Sequence, residues 1–108
     1  MNEKELRELD AWIAENIFNI PRDLISINGP IPSKAGNYMV REIDHYSTDP
    51  AAAMEVLKKC YEIADVTTGY HAGYKRYFAK SGRKLIESKT IELAICLLAQ
   101  ELFKKEAP

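Results

Sequence analysis

Val66-Thr67-Thr68-Gly69-Tyr70-His71-Ala72-Gly73-Tyr74-Lys75-Arg76-Tyr77-Phe78-Ala79-Lys80 is rich in β-branched and aromatic residues and is broken once, at Ala72-Gly73. Such residues fit a pleated, half-buried surface. A turn at the break folds the run into a hairpin. With a two-residue turn, His71 pairs with Tyr74 and Gly69 with Arg76. One face then carries Thr67, His71, Tyr74, Arg76 and Phe78. The other carries Val66, Thr68, Tyr70, Lys75, Tyr77 and Ala79. Both faces are partly apolar, whereas a sheet wet on one side alternates cleanly. The pattern therefore predicts cover on both sides, from helices or from another subunit. Ser81-Gly82 makes a second turn, and Lys84 to Ile86 adds a short last strand.

Downstream, the spacing predicts a helix from about Thr90 to Lys105. Ile91, Ala94, Ile95, Leu98, Ala99 and Leu102 form one stripe, which Leu93, Cys96 and Leu97 widen. A helix apolar over so much of its circumference is central, or buries a second face in an oligomer. Upstream, His45-Tyr46-Ser47-Thr48-Asp49-Pro50 is a helix start: Ser47, Thr48 or Asp49 can cap, and Pro50 suits the first turn. That helix runs to about Ala64. Ala53, Met54, Leu57, Cys60, Tyr61 and Ala64 form its apolar face, and Glu55, Lys58, Lys59 and Glu62 its polar one.

Tyr38 to Ile43 reads as a short strand, with Tyr38, Val40 and Glu42 on one face and Met39, Arg41 and Ile43 on the other. Residues 20–37 form a loop punctuated by Pro21, Gly29, Pro30, Pro32 and Gly36, long enough to expect a mobile or partner-bound part. Residues 2–18 read as a first helix. Leu6, Leu9, Ile13 and Ile17 share one stripe flanked by Trp12, and Glu3, Glu5 and Glu8 favour its N-terminus. The 108 residues thus predict a single α+β domain. Its helix is at about 2–18, its Pro/Gly loop at about 20–37 and its αβ core at about 38–106. The architecture expected is an α-β-α sandwich: three helices with a small, mostly antiparallel sheet of three or four strands.

Composition narrows function. Apolar residues make up 46% and charged ones 29%, so the chain is globular rather than disordered. A formal net charge of −1 excludes a bulk-basic nucleic-acid binder. The charge is uneven. Residues 1–65 hold 7 Lys or Arg against 12 Asp or Glu, a balance of −5, and residues 66–108 hold 8 against 4, a balance of +4. No run reaches the ~18 apolar residues of a membrane span, so no membrane partner is expected. Met1 to Arg7 is charged with no apolar stretch behind it, so no secretory signal is expected either. Two cysteines make no disulfide framework, and the expected location is cytoplasmic.

Two blocks carry a family resemblance. The first is Tyr46-Ser47-Thr48-Asp49-Pro50-Ala51-Ala52-Ala53-Met54-Glu55-Val56, and the second is Glu92-Leu93-Ala94-Ile95-Cys96-Leu97-Leu98-Ala99. They flank Gly73-Tyr74 and the aromatic strands. Over roughly residues 44–105 the chain resembles the phage ABA-sandwich domain family, small proteins of phages and prophages. The family's pattern is not kept at Pro50, Met54 and Thr90-Ile91-Glu92. The resemblance implies an α/β sandwich, a phage or prophage origin and hence a bacterial host. It brings no catalytic, cofactor or metal residue.

Candidate chemistry is weighed residue by residue. Asp44, His45 and Asp49 are possible acid–base or metal groups, but three or four convergent ligands are needed and the helix start already explains Ser47, Thr48, Asp49 and Pro50. Cys60 and Cys96 lie in apolar stripes, where free cysteine packs as a small hydrophobe. Gly69-Tyr70-His71-Ala72-Gly73-Tyr74-Lys75 lacks the spacing and the Lys-Ser/Thr of a phosphate loop. Residues 66–86 hold Lys75, Arg76, Lys80, Arg83 and Lys84 among Tyr70, Tyr74, Tyr77 and Phe78, with no acidic residue. Aromatic faces stack bases and cations neutralise phosphate, but lysines also guard sheet edges. The expectation is a non-enzymatic phage accessory protein with no cofactor. It would act by binding a partner, a host or phage protein, as a homo-oligomer. The alternative is a nucleic-acid or nucleotide binder through Tyr74, Lys75, Arg76, Tyr77, Lys80, Arg83 and Lys84.

Overall fold

The computed structural model describes residues 1–21, 25–26, 31–32 and 39–104. In chain order the elements are α1 (Glu3–Asn16), β1 (Ile25–Ser26), β2 (Ile31–Pro32), β3 (Met39–Glu42), α2 (Pro50–Tyr61), β4 (Thr67–His71), β5 (Arg76–Ser81), β6 (Lys84–Ser88) and α3 (Ile91–Phe103). The class is α+β as expected, with three helices and an antiparallel sheet ordered β4-β5-β6. A second set of very short strands has the order β1-β3-β2, with β1 parallel and β2 antiparallel to β3. The sequence reading passes over β1 and β2, which are two residues each and sit among prolines. Gly29, Pro30, Gly36, Tyr38 and Lys105 lie outside the described residues.

Each helix starts on a side-chain cap. At α1 the Glu5 N–H donates to Asn2 Oδ1 at 2.8 Å, and the Asn2 N–H donates back to Glu5 Oε1 at 3.3 Å, a closed capping box. At α2, Asp49 is the cap among the three candidates: its Oδ2 accepts the Ala52 N–H at 3.1 Å, with Pro50 in the first turn. At α3, Thr90 Oγ1 accepts the Leu93 N–H at 3.2 Å.

α3 is the central element. One side, through Ala94 and Leu98, packs on Ala79 of β5, joined by Val66, Ile86 and Leu102. The other side, through Ile95, Cys96 and Ala99, meets α1 (Leu9, Ile13, Ile17) and α2 (Val56, Leu57, Cys60). The two apolar sides of α3 are thus both satisfied within the chain. The buried face of α2 is narrower than its composition predicts. Ala53, Val56, Leu57 and Cys60 are buried, but Met54 and Tyr61, one heptad apart, are about half exposed.

The hairpin turn is wider than expected. His71 faces Arg76 and Gly69 faces Phe78, so residues 72–75 form a four-residue turn. The Tyr74 N–H donates to the His71 carbonyl at 3.2 Å, and Lys75 takes φ +55°. A tight two-residue turn of the favoured kind asks positive φ of its central residues. Ala72 resists that, and the wider turn moves the strain to Lys75. A slip of two residues keeps every strand side chain on its own face. Thr68, Tyr70, Tyr77 and Ala79 therefore share one face with Ile86 and Ser88, and Thr67, Gly69, His71, Arg76, Phe78 and Lys80 share the other with Leu85 and Glu87.

Only the first of those faces carries a helix. α3 lies on the Ala79–Ile86 side, and among the described residues no other helix makes substantial contact with this sheet. Cover on both sides, expected from the sequence, is not found among the described residues. On the open face Phe78 lies flat over Gly69 and stacks on His71, with centroids 4.5 Å apart. A Cβ at Gly69 would come within 2.7 Å of Phe78 Cε1 and Cζ. The missing side chain on the edge strand is what makes room for the ring.

A buried ion pair fixes α1 to the segment before α2. Asp10, fully buried, accepts from Arg7 Nη1 at 2.7 Å and from the Ser47 N–H at 2.8 Å. The same guanidinium donates to the carbonyls of Ile43 (3.0 Å) and Asp44 (3.2 Å). Two outcomes test these contacts by thermal or denaturant unfolding. Asp10→Asn removes the nearest counter-charge of the buried Arg7 guanidinium, leaving Glu42 at 3.5 Å, and is expected to cost about 3 kcal/mol. Gly69→Ala is expected to cost about 1–2 kcal/mol by overpacking, with a smaller loss when combined with Phe78→Leu.

Candidate binding surface

The basic and aromatic residues of the hairpin are set out by strand register. Tyr74 and Lys75 occupy the β4–β5 turn, where Tyr74 is 77% exposed. Arg76 and Lys80 lie on the open face of β5, four residues and so about 13 Å apart. Tyr77 lies on the opposite face, its ring 4.8 Å from that of Tyr70. Arg83 is in the β5–β6 turn at the other end of the sheet, and Lys84 opens β6. Lys84 is engaged: its Nζ donates to the Glu101 carbonyl at 3.3 Å and lies 3.7 Å from the Glu101 carboxylate. The structure thus brings together Tyr74, Lys75 and Arg76 at one end and Arg83 and Lys84 at the other. Lys80 stands between them. The tyrosine pair Tyr70–Tyr77 is on the far side of the sheet from Arg76 and Lys80.

The open face has its own shape. A groove of about 460 Å³ is lined by Asp65, Thr67, His71, Phe78, Lys80 and Leu85, with Gly82 at its end. The Nδ1 atom of His71 is buried there without a hydrogen-bond partner. Leu85 is exposed and Phe78 partly so. Sequence reasoning divided the strand residues between faces correctly, but it put Tyr74 and Lys75 on strand faces where the structure has them in the turn, and it gave no sign that one face lacks a helix among the described residues. Leu85 was not among its candidates.

The polar cluster before α2 is used structurally. Asp49 caps α2, and the Asp44 carbonyl accepts from Arg7. His45 Nε2 lies 3.5 Å from Glu42 Oε1, which also lies 3.5 Å from Arg7 Nη2. Among the described residues, no group of three His, Cys, Asp or Glu is placed to hold a metal ion. No helix among them is long and apolar enough to cross a membrane. Arg7 and Asp10 escaped the sequence reading, although Asp10 sits three residues before Ile13 and four after Leu6, on the apolar stripe.

Cys60 and Cys96 are free and buried in the core between α2 and α3. Burial pushes the Cys60 thiol from 9.0 up to about 11. Burial also raises Cys96, and the negative charge of Asp10 adds to it. The Cys96 thiol donates to the Tyr46 carbonyl at 3.1 Å, a group only the protonated sulfur can serve.

A 2.0 Å crystal structure of a phage protein from Bacillus cereus ATCC 14579 is similar to this chain. The TM-score is 0.67 and the identity 26%, over 92% of each chain. No family model matches the chain, and no curated protein matches it.

The cysteine environment sets a pH dependence. Because the folded Cys60 thiol titrates above its unfolded value, its stabilising share is complete below pH 9 and is lost as pH rises through about 11. Wild type is expected to lose unfolding temperature more steeply over pH 9 to 11 than Cys60→Ala. Labelling of both native thiols at pH 8 is expected to proceed only as fast as unfolding.

Proposed function

We propose that this chain is a non-enzymatic phage or prophage accessory protein of the bacterial cytoplasm, one that works by holding a partner and that self-associates. The observation that carries this reading is the open face of β4-β5-β6, where Phe78 and Leu85 stand beside charges and no helix among the described residues covers them. The similarity to the Bacillus cereus phage protein over 92% of the chain supports the phage origin. The conspicuous ionisable groups support a binding role by what they already do. Asp10 and Arg7 hold α1, Asp49 caps α2, and both thiols fill the core. Self-association now rests on the sheet, since α3 is satisfied from both sides. Sedimentation analysis over a wide concentration range tests the reading. A mass rising toward a multiple of the 12.3 kDa chain is expected, and a strict monomer throughout would contradict it.

A second reading has one specific observation in its favour: Tyr74 and Lys75 in the β4–β5 turn and Arg76 at the start of β5 are adjacent and all exposed. That is a small cationic platform with an aromatic face for an anionic base or strand. Titration with single-stranded DNA or nucleotides against salt decides it. Binding that weakens steeply with salt and is lost in Lys75→Glu/Arg76→Glu is what this reading expects. No binding at low salt removes it.

A further inference from the structure

We infer that the open face of β4-β5-β6 is a twofold interface whose occupant is a second copy of this chain. The inference rests on the self-association read above and says where it happens. Lys80 pairs in register with Leu85, and two residues away Phe78 pairs with Glu87. These four make a two-by-two block on one face of the sheet, about 4.8 Å across the strands and about 7 Å along them. One diagonal of the block, Phe78 to Leu85, is apolar. The other, Lys80 to Glu87, carries opposite charges at its two corners.

That pattern is its own complement. A twofold axis laid along the apolar diagonal sets Phe78 on the second copy's Phe78 and Leu85 on the second copy's Leu85. It also exchanges the charged corners, so each Lys80 meets the second copy's Glu87. Such an interface is isologous, the same patch serving both molecules. That diagonal lies about 34° from the strands, so the axis crosses the strands of the two sheets at about 70°, nearer the orthogonal class of sheet packing than the aligned one. Lys80 and Glu87 are free to do this. Both are exposed, and neither forms an ion pair among the described residues. Lys84, by contrast, is already held by Glu101. The footprint is three short strands, at the small end of stable interfaces, so the dimer is expected to dissociate on dilution.

Charge exchange tests the geometry. Sedimentation is run on wild type, Lys80→Glu, Glu87→Lys and the double variant Lys80→Glu/Glu87→Lys. Each single reversal places like charges across the interface twice and is expected to weaken dimerisation at least ~10-fold. The double variant restores opposite charges at both corners and is expected to dimerise within a few-fold of wild type, which a misfolded chain cannot do. A wild-type dimer indifferent to the single reversals, or weakened by them and not restored by the double, overturns this interface and leaves self-association standing. A wild type that is monomeric at every concentration overturns both.

Discussion

The Asp10 carboxylate holds the molecule's most demanding position. It is fully buried on α1 and is tolerable there because two donors reach it. Arg7 reaches it from one turn earlier, and the Ser47 N–H reaches it from the segment before α2. Buried charge is expensive unless geometry and hydrogen bonding are both good. Here the guanidinium also serves two carbonyls of the chain leaving β3. The result ties α1 and the 43–47 segment, distant in sequence, to one point. Apolar contacts alone let α1 slide or rotate on α3. A pair with fixed hydrogen-bond directions does not, and Cys96 adds a thiol donor to the neighbouring Tyr46 carbonyl.

From that anchored corner the layers follow. α1 and α2 form one side of the helical layer, α3 closes it, and the sheet lies on the far side of α3. Small residues make this stacking possible. Ala94 and Ala79 are both fully buried where α3 meets β5, and Ala99 is fully buried where α3 meets the other helices. A helix so placed needs apolar residues nearly all the way round, which is what its sequence shows. The sheet needs cover on one side only, and its second face is left to Phe78, Leu85 and charges.

Much of this was legible in the residues. The helix start at Ser47-Thr48-Asp49-Pro50, the helix from about Thr90 and the division of the strand residues into two faces can be read from capping chemistry, apolar spacing and period-two alternation. The pairing partners could not, because the turn length depends on which residue accepts positive φ, and Lys75 rather than Ala72 does so. The openness of one face was hidden for a related reason. Phe78 looks like a core residue in sequence, but Gly69 gives it a seat within its own sheet, so an aromatic there does not demand a covering helix. The Asp10–Arg7 pair was visible only as a charge on an apolar stripe. Its meaning came from Ser47, thirty-seven residues further on. The candidate basic surface was legible as a list of residues and not as a place, since register sends Tyr77 to one side and Lys80 to the other.

The position of α3 in the chain has a consequence for biosynthesis. Chains emerge from the ribosome N-terminus first, and both cores wait for α3. Until it arrives, α1 and α2 have no third wall, and the hairpin presents Ala79 and Ile86 to water. A chain stalled short of Ile91 would display two half-built cores at once.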